Sequence, residues 1–362
     1  MTFRDAFKDL KDHRMNRTKL HSLESILFIS LAAVIGGAET WNEIEEFGNE
    51  KIDWFRKHLD LPNGIPSHDT FNRFFSTMDP SKFEECFRNW VKSIIGDLKN
   101  DVIAIDGKTV VGSRGYNRNP LHIVSAWSTS NGISLGQIST AEKSNEITAI
   151  PMLLESLMIE GSIITIDAMG TQTDIANMII SSGADYILAV KNNHKILCNN
   201  IKESFKIMPV KSVSIEEDFG HGRIEVRKCS IINDLELIDN VSSWIGIKSI
   251  VKIDSTRYDK TTQKTETSVR YYISSLNKNA TEMAKAIRSH WGIESNLHWM
   301  LDVSFGEDNS QKRNKNAVLN FSLLNKIALK ILKDDTTSKV GVKSRRLKAG
   351  WGTSYLEKVL GL

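Results

Sequence analysis

Cysteine, proline and long apolar runs are all scarce in this chain, and each scarcity excludes something. The 362 residues include 3 cysteines, Cys86, Cys198 and Cys229. They are odd in number, far apart and without metal-ligand spacing. A disulfide framework is therefore excluded, and a reduced compartment with three small core residues is the simple reading. Six prolines leave little room for long disordered linkers. The longest apolar stretch, Ile26 to Ala38, is too short to span a bilayer. It follows basic residues and ends in small ones, as a signal peptide would. Asp5, Asp9, Asp12 and Glu24 argue against export, so the expectation is a cytoplasmic protein with no membrane partner.

Charge of one sign is lacking overall, since the formal net charge is only +3. Its distribution is uneven. Thr281 to Leu362 holds 14 Lys/Arg against 8 Asp/Glu, so the rest of the chain is slightly acidic. A basic C-terminal part on a near-neutral body fits a polyanion contact, although solvated faces are commonly basic too. A composition of 40% hydrophobic and 25% charged residues suits two or three packed units.

Residues 1–96 read as an all-helical N-terminal domain. Leu23, Ile26, Leu27, Leu31 and Val34 recur at helical spacing, and Gly36-Gly37 closes that segment. A second helix is expected through WNEIEEFGNEKIDWFRKHL. In LPNGIPSHDTFNRFFSTMDP, Ser67 is a fitting N-cap and Pro80 ends the element. Helix, Pro/Gly turn and short Arg-bearing helix resemble a helix-turn-helix, with a plain helical bundle as the alternative.

At Asn100 the period changes. DVIAIDGK is a strand, LHIVSAWSTSNGISLGQIST a hairpin, EITAIPMLLESL a helix and SIITIDAM a strand. TQTDIANMIISSG follows as a helix and ADYILAVKN as a buried strand. That order is the one found in a ribonuclease-H-like sheet. The expected fold class is α/β: residues 97–206 as the first part of a ribonuclease-H-like catalytic core, 207–276 as a β-rich insertion, 277–335 as the catalytic helix completing the core, and 336–362 as a basic tail.

Asp106 and Asp167 each end a strongly apolar strand, VIAID and IITID. A carboxylate there points into the crevice where open α/β sheets bind ligands. One such Asp is weak evidence, because helix N-caps often carry Asp in the same place; two strands ending alike is better evidence. The matching chemistry is phosphoryl transfer with Mg²⁺ (or Mn²⁺), whose ions are held by a few carboxylates plus substrate oxygens. The third carboxylate must come from a distant element. RSHWGIESNLHWMLDVSFGED offers Glu294, Asp302, Glu307 and Asp308, and Glu294 is the candidate.

Taken in order, IDGKT, EKSNEI, TIDAMGTQ, GADYILAVKNN, HGRIEVR, RYYISSL and HWGIESNLHWMLDVSFGED resemble bacterial insertion-sequence transposases of the Asp-Asp-Glu class, within them the H-repeat-associated group. The resemblance runs over essentially the whole chain. It implies that Asp106, Asp167 and Glu294 are catalytic and hold the metal. Related transposases place Tyr, Arg, Glu and Lys on one helix face, at offsets −7, −4, 0 and +7; this chain has Ile287, His290, Glu294 and Leu301. His290, Arg288 and His298 are the available substitutes for phosphate contact. His290, Glu294 and His298 also invite a zinc reading, but i to i+8 spans roughly 12 Å of helix, too far for one ion to bind all three.

Lys108, Arg114, Lys143, Lys191 and Arg223 follow strand ends or loops around the site. They are candidate phosphate contacts, with ordinary surface charge as the alternative for each. In the tail KVGVKSRRLKAG, Arg345 and Arg346 are further candidates. The resulting expectation is a DNA transposase that cleaves element ends and joins them to target DNA, working as a homodimer on DNA. The alternatives are a nuclease of the same fold and a transposase-derived DNA-binding protein without catalysis.

Overall fold

The computed structural model describes residues 3–15, 19–115, 119–140, 146–220 and 222–362. The chain opens with α1 (Phe3–Phe7) and α2 (Leu23–Ile35). Every residue of α2 from Ser25 onward is buried, which explains its apolar composition on all faces. A capping box between Thr40 and Glu43 starts α3 (Trp41–Glu50). The single helix expected through Leu59 breaks at Lys51 (φ −111°, ψ 21°), and α4 (Ile52–Phe55) follows. Ser67 caps α5 (His68–Thr77) as expected, accepting from the Thr70 N–H. Pro80 does more than end that element, because it opens α6 (Pro80–Ile94). Proline forces Asp79 into extended backbone (φ −66°, ψ 115°), and there the Asp79 carboxylate accepts from the Ser81 N–H as the N-cap.

The middle of the chain alternates β1 (Val102–Thr109), β2 (His122–Ser128), β3 (Ile133–Thr140), α7 (Glu146–Glu155), β4 (Ile163–Ile166), α8 (Thr173–Ser181), β5 (Asp185–Val190) and α9 (Lys195–Ile207). Then come β6 (Ser212–Gly220), β7 (Arg223–Ile232), β8 (Ser249–Asp259) and β9 (Lys264–Ser274). All nine strands form one mixed sheet, ordered β3-β2-β1-β4-β5-β9-β8-β7-β6. β1, β4 and β5 are parallel, and β2 runs antiparallel between β1 and β3. The strands between 207 and 276 are long antiparallel hairpins. They extend the same sheet, because β9 pairs with β5.

Next come α10 (Ala280–His290), a π-helical turn (Glu294–His298) and α11 (Trp299–Phe305). α10 lies across β1, β4, β6 and β7. The expected single long helix is therefore interrupted at Glu294. A Gly306 in the left-handed region (φ 60°) closes α11. Next is α12 (Lys315–Asp334), which packs against α2, α5, α6 and β3. Its Asn320 side chain donates to the Phe75 and Met78 carbonyls at 2.9 and 3.0 Å, satisfying the buried C-terminal end of α5. Leu324 and Ile327 are fully buried, and each contributes about 1.5–3 kcal/mol of burial. One continuous apolar core joins the N-terminal helices, the sheet and α12.

Residues 336–362 are not an extended basic tail. They fold as α13 (Val342–Trp351) and α14 (Thr353–Leu360), packed on α2, α11 and α12. Cys198 and Cys229 are buried and Cys86 is half-buried, all as free thiols. Among the described residues no helix is long and apolar enough to cross a membrane.

Candidate active site

β1 and β4 run in parallel register from Val102↔Ile163 to Ile105↔Ile166. One further step sets Asp106 beside Asp167. β4 stops at Ile166, and the Asp167 carboxylate accepts from the Met169 and Gly170 N–H groups at 3.0 and 3.3 Å. Asp106 does not end its strand, contrary to the sequence expectation. β1 continues to Thr109, held by β2, so Asp106 lies where β1 loses its parallel neighbour.

Burial pushes the Asp106 carboxyl up to about 7. The Gly107 N–H opposes this, while Asp167, Glu294 and Glu146 raise it further through their charge. The three expected carboxylates therefore share one electrostatic field. His298 Nδ1 lies 3.5 Å from Asp106 Oδ2. Burial, aided by the charges of Lys326 and Lys108, lowers His298 to about 3, so the imidazole is neutral. Its Nε2 is buried without a hydrogen-bond partner. Burial likewise lowers His290 to about 4, and His290 Nδ1 meets Thr165 Oγ1 at 2.9 Å. The two histidines thus serve different neighbours and form no zinc pair.

Glu294 is exposed and lies in the π-helical turn, a feature that concentrates at functional sites. It lines a groove of about 1230 Å³ together with Trp127, Arg223, Arg288, Trp299 and Lys333. Asp167 lines another cleft, of about 670 Å³, with Lys191 and Lys202. Among the described residues no three His, Cys, Asp or Glu side chains converge to grip one ion. The donors nevertheless suit a hard divalent cation in kind: they are carboxylate oxygens, and their mutual repulsion at Asp106 is what a cation relieves.

A stability prediction follows from Asp106. Its folded value of about 7 lies above the ordinary carboxylate value near 3.9, so the folded state holds more protons between those pH values. Stability from this group therefore falls as pH rises through that window, by at most about 4 kcal/mol. In chelator, Asp106→Asn should melt above the wild type at pH 8, and the gain should shrink to its smallest near pH 4. A gain independent of pH would contradict the assigned environment. Thermal unfolding at the two pH values measures it.

The remaining candidates scatter. Lys108 is half-buried, and its ammonium donates to Asp302 and Glu307 with Asp308 at 3.5 Å rather than standing open. Arg114 is exposed just beyond β1. Lys143 lies outside the described residues. Lys191 faces the Asp167 cleft, and Arg223 faces the Glu294 groove while its Nε lies 3.4 Å from Asp259. Arg345 donates to the carbonyls of Val340, Leu332, Asp335 and Ser338 at 2.5–2.9 Å. Arg346 is 3% exposed and donates to the carbonyls of Val34, Ala38 and Ser304. Both arginines are committed within the fold.

Two groups near the site escaped the sequence. His122 Nε2 and Glu146 Oε1 form a buried pair at 2.5 Å, and a Cβ at Gly107 would collide with both, which is why glycine follows Asp106. Glu146 lay inside the EKSNEI motif, but nothing marked its partner. Lys326 is buried, donating to Ser125 Oγ at 2.8 Å and Gln137 Oε1 at 2.5 Å. Ser125 is the cross-strand partner of Asp106. A lysine inside the apolar run LLNKIAL was the available signal.

Comparison with known proteins assigns the chain to a family. Residues 97–331 match the transposase DDE domain, and residues 4–91 match the DDE_Tnp_1-associated region. The chain belongs to the DDE transposase family. It is 43% identical over 362 residues to the "H repeat-associated putative transposase YhhI" of Escherichia coli K12, covering 97% of this chain and 95% of that protein. It is 42% identical over 364 residues to the "Putative transposase YncI" of Escherichia coli O157:H7, covering 98% and 93%. A cryo-EM structure of a piggyBac transposase synaptic complex with hairpin DNA overlays with a TM-score of 0.47 at 11% identity, covering 99% of this chain and 77% of that one. That overlap is too loose to align sites.

Proposed function

We propose that this protein cleaves the ends of its own mobile element and joins them to target DNA, using Asp106, Asp167 and Glu294 on a ribonuclease-H-like core. The observation that carries the proposal is the parallel register of β1 and β4, which sets Asp106 beside Asp167 at the edge where β4 ends; the Asp106 carboxyl there is raised chiefly by burial and further by the charges of Asp167 and Glu294. The strand order β3-β2-β1-β4-β5 with a helical N-terminal unit supports the core assignment. Bound Mg²⁺ or Mn²⁺ would supply Lewis-acid stabilisation of the attacking and leaving oxygens. Asp106, Asp167 and Glu294 are the residues that would hold it. The Met169 and Gly170 N–H groups keep the Asp167 carboxylate oriented, and the neutral His298 lies against Asp106 without adding charge. Arg223, Arg288 and Lys333 in the Glu294 groove, and Lys191 in the Asp167 cleft, are the cations placed to meet DNA phosphates. The protein acts in the cytoplasm, as a homodimer on DNA. α5, with Asn72 and Arg73 exposed, is the candidate for reading element ends.

The experiment that tests this is metal dependence. Mg²⁺ or Mn²⁺ should support nicking of a duplex carrying the element end. Excess chelator should abolish nicking and leave the gel-shift affinity within about threefold. Full nicking in chelator would sink the carboxylate mechanism. Binding without nicking under all metal conditions would favour a transposase-derived binding protein.

A further inference from the structure

Alternation along β1 puts Asp106 and Lys108 on one face of the sheet. The Lys108 side chain is 11% exposed, and three carboxylates from the segment after Glu294 close on its ammonium. Asp302 contacts it from α11, Glu307 Oε2 lies at 2.7 Å and Asp308 Oδ1 at 3.5 Å. Glu307 is itself 5% exposed and follows the Gly306 that closes α11. The chain around this contact is stitched down as well. Arg313 donates to the Gly112 carbonyl just past β1, and a Cβ at Gly112 would strike the Asp308 and Ser310 carbonyls.

We propose that Lys108 is a positioning residue, tying the far end of the Glu294-bearing helix to the strand that carries Asp106 and so setting the separation of the two carboxylates. The inference rests on the proposed function for its consequence, though not for its geometry. Glu294 opens the π-helical turn that runs directly into α11, so it is carried by a helical segment whose C-terminal anchor is this ion-pair set. Without the anchor, the turn leaves Glu294 free to shift relative to Asp106. The Lys108 ammonium donates to Asp302 and Glu307 and lies 3.5 Å from Asp308, so its charge is met within the fold.

Lys108→Met, Lys108→Arg and Asp302→Asn test this in the full-length protein. Hydrogen exchange over residues 294–310 reads the anchor without any catalysis. Lys108→Met should speed exchange there by roughly tenfold or more, with other segments unchanged. The Mg²⁺ concentration for half-maximal nicking should rise about 10–100-fold, as for loss of groups that orient metal ligands. DNA affinity and its salt dependence should stay as in the wild type. Lys108→Arg should restore most of both effects. If Lys108→Met fails to fold, Asp302→Asn keeps the buried Lys108–Glu307 pair and should give a smaller change in the same direction. Unchanged exchange over 294–310 in the variants would overturn the proposal. So would weaker DNA binding with a flatter salt slope, which would make Lys108 a phosphate contact. A wild type that never nicks DNA would instead refute the proposed function, while the exchange result would still decide the anchor.

Discussion

Glu294→Gln should abolish strand cleavage while leaving a folded protein that binds DNA. Glu294 is exposed, so exchanging its carboxylate for an isosteric amide leaves no buried group unpaired. What disappears is an anionic metal ligand. Stabilisation of the transition state by a correctly held ion amounts to several kcal/mol, so cleavage should fall roughly 10³-fold. Asp302→Asn should retain measurable cleavage, since Asp302 is bound to Lys108 and not to the aspartate pair. Single-turnover nicking by the two purified variants decides between them. An active Glu294→Gln beside a dead, folded Asp302→Asn would move the third carboxylate to Asp302.

Arg346→Met should be among the most destabilising substitutions in the chain, although Arg346 sits in a conspicuously basic stretch. Its guanidinium joins α13 to the end of α2, through the Val34 and Ala38 carbonyls at 3.0 and 3.1 Å, and to α11 through the Ser304 carbonyl. Its carbon also lies 4.3 Å from the centre of the Phe305 ring, and Glu39 is 3.3 Å away. Removing the donors strands three carbonyls in a buried seam, a loss of about 3–5 kcal/mol. Thermal unfolding should show a drop of roughly 4–7 °C, whereas the exposed Lys343→Ala should melt near the wild type. A normal melting temperature with weakened DNA binding in Arg346→Met would restore the reading of residues 336–362 as a DNA-tracking tail.

The contrast between Glu294 and Arg346 shows where legibility ended. VIAID and IITID were readable as buried strands because their apolar runs are local and bounded by polar turns, and parallel register then set Asp106 beside Asp167. Ser67 was readable as a cap because capping acts within three residues. The partners of Lys108 and Arg346 are not legible in the sequence because they lie far away, 194 residues on for Asp302 and 312 residues back for Val34. A cation in a basic stretch looks solvated until the fold brings carbonyls or carboxylates to it. The π-helical turn was illegible for a related reason. Periodicity from Ala280 to Phe305 is continuous enough to read as one helix, and no residue in ESNLH signals a wider turn.

The most direct test of the central claim is strand joining in vitro. Purified protein, a duplex ending in the element terminus, a supercoiled target plasmid and Mg²⁺ should yield plasmid covalently joined to the element's 3′ end. Asp106→Asn, Asp167→Asn and Glu294→Gln should each bind the duplex and yield no joined product. Joined product from any of the three at the wild-type rate would contradict the account.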